Sequence, residues 1–338
     1  MEKRFLVTAS PHIGTSLSAK RIMLIVILCL MPALLAGAIN FGVYAVIVVA
    51  VSVTASVLAE WVFCKIYKKP STVGDLSAVV TGLILGLNMP PAVPLYIPAI
   101  GGIFAIIIVK MLFGGLGKNF ANPAAAGRVF LLLSFGAQMT SYVAPKVYGQ
   151  SFMTGFFSFS ATTSATPLRG IGESAVRGLR PSVNLLDLFF GATAGSIGEV
   201  SALAILIGGL ALILFKVVNF RKPLYFLLSV AVFTLFFYHD GIYFVLPMLL
   251  SGGVMLAGFF MITDYSSGPA TPAGAIIYSA GIGLFTVLIR RFGSFPEGVS
   301  IAILLMNCIT PTLDKYLIPK PFGYVRPKKP AKTKEGTV

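Results

Sequence analysis

Apolar residues in this chain come in long, nearly unbroken blocks, without the alternation of a half-buried strand or the narrow stripe of a soluble helix. Ten blocks can be marked, at about residues 22–39, 43–63, 74–90, 95–113, 128–143, 199–217, 224–238, 242–262, 274–290 and 298–316. A helix crosses a hydrocarbon core of about 30 Å with roughly 20 residues, and several blocks are shorter than that or broken by Pro and Gly. The pattern predicts an all-α integral membrane protein of about ten transmembrane helices. Its polar stretches divide the chain into an N-terminal segment (1–21), a first membrane unit (22–143, spans one to five), a connection with a half-helix (144–198), a second membrane unit (199–316, spans six to ten) and a basic tail (317–338).

Composition strengthens this reading. Hydrophobic residues make up 57% of the chain and charged ones 11%, with a mean hydropathy of +0.91, whereas soluble domains carry roughly 25% charged residues. The first 21 residues are polar and no cleavage pattern follows the first apolar block, so that block is expected to be a span and not a signal peptide. A net charge of +15 raises the question of nucleic acid, but the basic residues sit in short clusters between blocks and form no continuous face. They act better as topology signals. Lys3, Arg4, Lys20 and Arg21, the run 65–69, Lys118, Lys216, Arg221, Lys222 and the tail all fall on one side when the spans alternate, and that side is the cytoplasm. Lys146, Arg169, Arg177, Arg180 and the pair Arg290–Arg291 fall on the other side. The first four belong to a long connection, where the rule weakens; the Arg290–Arg291 pair stands against the alternation.

An internal echo suggests repeats. KMLFGGLGKNFANPAAAGRVFLLL (110–133) enters span five much as RRFGSFPEGVSIAILLM (290–306) enters span ten. Units of five spans would be inverted relative to one another, an arrangement that builds sites from broken helices. Breaks are expected at NMPPAVPLYIP (88–98) and ITDYSSGPATPAG (262–274), where backbone groups freed at membrane depth need partners.

Candidate chemistry is sparse. Cys29, Cys64 and Cys308, with His12 and His239, show no metal-binding or iron–sulfur spacing, and no glycine-rich strand–helix fingerprint for a nicotinamide cofactor occurs. Redox or transport chemistry would therefore use a borrowed cofactor. Hydroxyls are the available handles: eight of the sixteen residues from Ser151 to Thr166 are Ser or Thr, in an outward-facing connection far longer than the ~4–6 residues of an ordinary loop. Acids at span ends, Asp264 first and then Asp75, Asp187 and Glu199, are candidates for cation passage. Each is equally a charge placed at a helix N-terminus.

Taken in order, SPHI and KRIM near the N-terminus, GGLGKNFANPAAAGR (114–128), SATPL (164–168), MITDYSSGPATPAG (261–274) and RRFGSFPEGVSIAILLMNCITPTLDKY (290–316) resemble the RnfD family of Rnf-complex membrane proteins. The related NqrB family of the sodium-pumping NADH:quinone reductase shares the central motifs. The resemblance spans roughly residues 8–323. It implies that FMN is joined by a phosphoester to Thr166, framed by Ser164, Ala165 and Pro167, with Thr162 and Thr163 as competing acceptors. Ser164 stands where many members have Gly. The resemblance also implies a second, non-covalent flavin, riboflavin, near Gly117, Asn119, Asn122 and Pro123; the two asparagines serve equally well as caps for the following helix. Further implications are partner Rnf subunits (A, B, C, E and G), a flavin transferase for maturation, and residence in a bacterial or archaeal cytoplasmic membrane with both termini inside. The implied activity is electron carriage in a redox-driven Na+ or H+ pump linking ferredoxin and NAD+. The alternative is a secondary transporter or channel without flavin.

Overall fold

A computed structural model of the protein describes residues 18–145, 164–293 and 297–318. Helix α1 (Ala19–Phe41) starts where the Ser18 hydroxyl accepts the amide of Arg21, and it ends at Gly42, whose φ of 83° turns the chain into α2 (Val43–Ile66). There follow α3 (Ser77–Leu87), α4 (Tyr96–Met111, π-helical from Ala105), α5 (Pro123–Ser134), α6 (Pro167–Val176), α7 (Leu185–Phe190) and α8 (Ala202–Leu214). The chain closes with α9 (Arg221–Phe237), α10 (Gly241–Leu250), α11 (Val254–Met261, ending π-helical), α12 (Pro272–Phe292) and α13 (Val299–Tyr316).

Helix occupies every one of the ten apolar blocks, but few are continuous spans. Among the described residues, α1, α2 and α12 are long and apolar enough to cross a bilayer, and α10 with α11, bent by 66° at their junction, forms a fourth candidate. Helices α3, α4, α5 and α8 are apolar and shorter. The block at 128–143 shows why: α5 has 12 residues, about 18 Å of helix at 1.5 Å per residue. These short helices lean on one another. Helix α2 packs on α3 and α4, α9 on α10 and α12, and α12 on α13, while α1 against α8 and α5 against α13 join the early part of the chain to the late part. The α2–α3 contact depends on small residues: a Cβ on Gly82 would stand 2.6 Å from the Val53 Cα, and Ser52 Oγ donates to the Gly82 carbonyl at 2.8 Å.

The breaks are stabilised by two different devices. After α3, the carbonyls of Leu87 and Met89 accept the amides of Gly198 (2.7 Å) and Ile197 (3.0 Å) from the segment preceding α8. The second break falls at Ser251–Gly253, inside the expected eighth span, with Gly252 and Gly253 both at positive φ. The segment 262–271 instead links α11 to α12. At this break the Arg290 guanidinium donates to the carbonyls of Met248 (2.7 Å), Ser251 (2.9 Å) and Gly252 (2.9 Å). Arg290 is buried, so it serves as a clamp on a helix C-terminus and carries no topological information. This gives a structural role to Arg290, one member of the pair that stands against the alternation; its neighbour Arg291 is partly exposed.

The internal echo also lies elsewhere than the sequence suggested. Helix α4 ends π-helical at Met111, and a loop then leads to α5, which is capped by Asn122 with Pro123 first in the helix. Helix α11 ends π-helical at Met261, and its loop leads to α12, capped by Thr271 with Pro272 first. The counterpart of 110–133 is therefore the stretch entering α12, since α13 begins after Gly298 with no capping side chain.

Candidate functional site

Thr166 sits at the N-cap of α6, with Pro167 at the first helical position. A threonine there normally uses its hydroxyl to accept an amide of the first turn, but Thr166 makes no such bond. Its carbonyl does accept Arg169 N at 3.1 Å, and two residues earlier Ser164 N donates to the Tyr142 carbonyl at 2.9 Å. The segment around Thr166 is thus held by backbone, while its hydroxyl makes no hydrogen bond among the described residues. Ser164 and Ala165 are exposed; Thr166 and Pro167 are half-buried. Thr162 and Thr163 lie outside the described residues.

In front of Thr166 opens a cleft of about 1020 Å³ bordered by Tyr142, the face of α6, Met248 and the end of α12. Its charged lining is Arg169, Arg177, Arg290 and Arg291 against Glu173. Arg169 pairs loosely with Glu173 at 3.4 Å, both well exposed, a contact worth little. Arg291 lies over the Tyr238 ring at 5.5 Å. A surplus of guanidinium groups beside a helix N-terminus is an anion site by both charge and dipole.

Behind Thr166 is a small cavity of about 20 Å³ bordered by Thr166, Leu168, Glu199, Gly252 and Glu297. Glu199 is buried, its Oε1 accepting Ser196 N at 2.8 Å, with no ion pair among the described residues. Glu297 is paired with buried Arg128 of α5 and also accepts the hydroxyl of Tyr142. A further opening beside Thr166 is bordered by Asp187, in the first turn of α7 behind the Asn184 cap.

The other predicted residues assemble at a second place. Asn119 Nδ2 donates to Ser266 Oγ at 2.8 Å, and Ser266 in turn donates through its amide and hydroxyl to Asp264, which also receives Ser267 Oγ at 2.9 Å. Asn122 is committed at both ends: Oδ1 caps α5 through Ala124 N and Ala125 N, while Nδ2 donates to the Met261 carbonyl at 3.0 Å. The Asn119 Oδ1 is buried without a partner among the described residues. Asn119, Asn122, Asp264 and Lys110 border one cavity of about 90 Å³, below the several hundred Å³ that ring cofactors occupy. Asp75 adjoins the same cavity through Ser77, which borders it: Asp75 Oδ1 accepts the amide (2.8 Å) and hydroxyl (2.5 Å) of Ser77.

Two buried ionic groups went unremarked in the sequence. Glu60 of α2 and Lys110 of α4 pair at 2.8 Å with almost no exposure, and Thr72 and Ser77 complete their hydrogen bonds. Both lie inside apolar blocks, and an ionisable residue within a span calls for a partner in the bundle; that signal was present. Arg128 and Glu297 lie in the motif-bearing stretches 114–128 and 290–316, but nothing local joins residues 169 apart in the chain.

The architecture is that of a multi-pass, all-helical membrane protein whose polar chemistry gathers at helix breaks and around one threonine. The chain belongs to the NQR2, RnfD, RnfE family, whose profile matches residues 6–323. It is 45% identical over 334 residues, 98% of this chain and 99% of the relative, to the D component of the Na(+)-translocating ferredoxin:NAD(+) oxidoreductase complex of Acetobacterium woodii. It is 37% identical to the D component of the proton-translocating ferredoxin:NAD(+) oxidoreductase complex of Clostridium ljungdahlii (94% and 96% covered). The figure is 35% for the D component of the ion-translocating oxidoreductase complex of Shewanella frigidimarina (95% and 98% covered).

Proposed function

We propose that this chain is the electron-carrying membrane subunit of an ion-translocating ferredoxin:NAD+ oxidoreductase complex, with FMN esterified through its phosphate to Thr166. The observation that carries this reading is a threonine hydroxyl at a helix N-terminus, without a partner among the described residues and opening on an arginine-lined cleft. The residues present fit the group. A phosphodiester on Thr166 would lie at the positive end of α6, Arg169 and Arg177 would balance its charge, and the cleft has the volume of a cofactor site. When bound, FMN supplies the one- and two-electron chemistry that this chain's own side chains lack.

The surrounding residues have separable tasks. Pro167 fixes the first helical φ, and Leu168, buried against Gly252, anchors α6 to the break that Arg290 clamps. The partner Rnf subunits (A, B, C, E and G) would supply the nicotinamide site and the iron–sulfur clusters, and a flavin transferase would make the ester. The complex would lie in the cytoplasmic membrane, with the termini inside and the Thr166 segment outside. Na+ or H+ would cross beside the polar groups at the helix breaks, with Asp264 as the foremost carboxylate and Glu199, Asp75 and Asp187 after it.

Broken helices and buried acids also suit a transporter without flavin, and one gel separates the two readings. Protein expressed with the flavin transferase is denatured in SDS and viewed under ultraviolet light. The redox reading expects a fluorescent band that disappears in Thr166→Ala, whereas a dark wild-type band favours the transporter.

A further inference from the structure

Among the buried charges near Thr166, Glu297 has a distinctive position. Its carboxylate is 15% exposed, whereas Arg128 opposite is 3% exposed. It borders the same 20 Å³ cavity as Thr166. It is also joined to the open cleft by a single hydroxyl, because Tyr142 borders the cleft and donates to Glu297 Oε1.

The charges facing Glu297 come from four elements. Helix α5 supplies Arg128, and the segment after it supplies Tyr142. The segment before α8 supplies Glu199, and α12 supplies Arg290. Arg290 spends its hydrogen bonds on three carbonyls and reaches the two carboxylates through its charge alone, whereas Arg128 is the cation in direct contact with Glu297. A further negative charge arriving beside such a cluster is relieved most directly by protonating one of them. Glu199 lacks a hydroxyl link to the cleft among the described residues; Glu297 has one.

We propose that Glu297 takes up the proton that compensates an electron arriving on the group carried by Thr166, with Tyr142 relaying that proton from the cleft. The inference rests on the flavin reading above. One electron leaves a reduced one-electron carrier of a partner protein and enters the Thr166-bound group. One proton leaves a hydronium ion in the cleft for the Tyr142 oxygen as Tyr142 gives its own proton to Glu297, so two O–H bonds break, on hydronium and on Tyr142, and two form, on Tyr142 and on Glu297. Reoxidation returns both charges. Neutral Glu297 pairs less strongly with Arg128, so the contact of α5 with the start of α13 loosens in the reduced state, a link between electron arrival and helix position.

The test uses the purified wild-type protein, shown on an SDS gel to carry covalent flavin, and reads the flavin midpoint potential against pH. Wild type is expected to show a steeper segment in which one extra proton is bound per electron, and Glu297→Gln is expected to lose that segment with the flavin band unchanged. Because Gln leaves Arg128 unpaired, Glu297→Gln with Arg128→Met keeps the charge balance and should lose the same segment. Should neither variant fold, Tyr142→Phe decides: proton uptake after photoreduction, followed with a pH-indicator dye, should slow by at least about tenfold. A Glu297 variant that keeps the wild-type pH dependence, or an unchanged uptake rate in Tyr142→Phe, overturns the proposal. A dark wild-type band overturns the flavin reading itself, so the two failures are distinguishable.

Discussion

Two residues show how much the partners of a side chain decide its role. Thr166 occupies a capping position without making the capping bond, so removing its hydroxyl should cost little stability. For Thr166→Ala the expected loss is below the ~1 kcal/mol typical of an N-cap, read as a small shift in thermal unfolding in detergent, while flavin attachment is lost altogether. Arg290 is the opposite case. Its guanidinium satisfies three carbonyls at the α10–α11 break, and hydrogen bonds from a charged donor contribute about 1.5–3 kcal/mol each. Arg290→Met should therefore lower stability by at least about 3 kcal/mol in the same assay, and reporter fusions should show the topology of the flanking segments unchanged. Counting basic residues could not reveal this role. A buried clamp and an exposed topology signal are the same letter in a sequence, and only the approach of α10 to α12 separates them.

At the scale of elements, the chain resolves its hydrophobic blocks into helices of very different length. The apolar blocks and the Pro and Gly interruptions located helices well, and Asn122–Pro123 marked the start of α5 through a cap that the structure contains. The break inside the eighth block was missed because Ser251–Gly253 contains no proline. Positive φ at two successive glycines is a backbone choice that the surrounding helices impose. Close packing supplies a direct test. Gly82 has the Val53 backbone 2.6 Å from where a Cβ would sit, whereas Gly74 has nothing within 4 Å. Gly82→Leu should force α2 and α3 apart at a cost of about 1–3 kcal/mol, and Gly74→Ala should leave thermal unfolding unchanged.

In the whole molecule, polar chemistry is distributed over distinct places. The surroundings of Thr166 hold the arginine cleft and the Glu199–Glu297–Arg128 cluster, while the loops after α4 and α11 are cross-tied by Asn119 to Ser266 and by Asn122 to the Met261 carbonyl. The motifs named the members of both places, Asn119 and Asp264 among them, but motif order says nothing of which loops face each other across 147 residues. Asp264 is held by Ser266 and Ser267 beside a cavity that Lys110 also borders, so its charge can act on a passing cation without contact with the Thr166 region. Asp264→Asn is accordingly expected to slow redox-coupled Na+ or H+ uptake into vesicles by about tenfold while covalent flavin stays at the wild-type level. Equal uptake in the variant would remove Asp264 from the ion path.

Covalent attachment of FMN to Thr166 is read directly by intact-mass spectrometry of the protein purified from cells with an active flavin transferase. The expected mass exceeds that of the polypeptide by one FMN less one water, with the addition mapped by peptide fragmentation to Thr166. A bare polypeptide mass, or the same addition on Thr162 or Thr163, would contradict it.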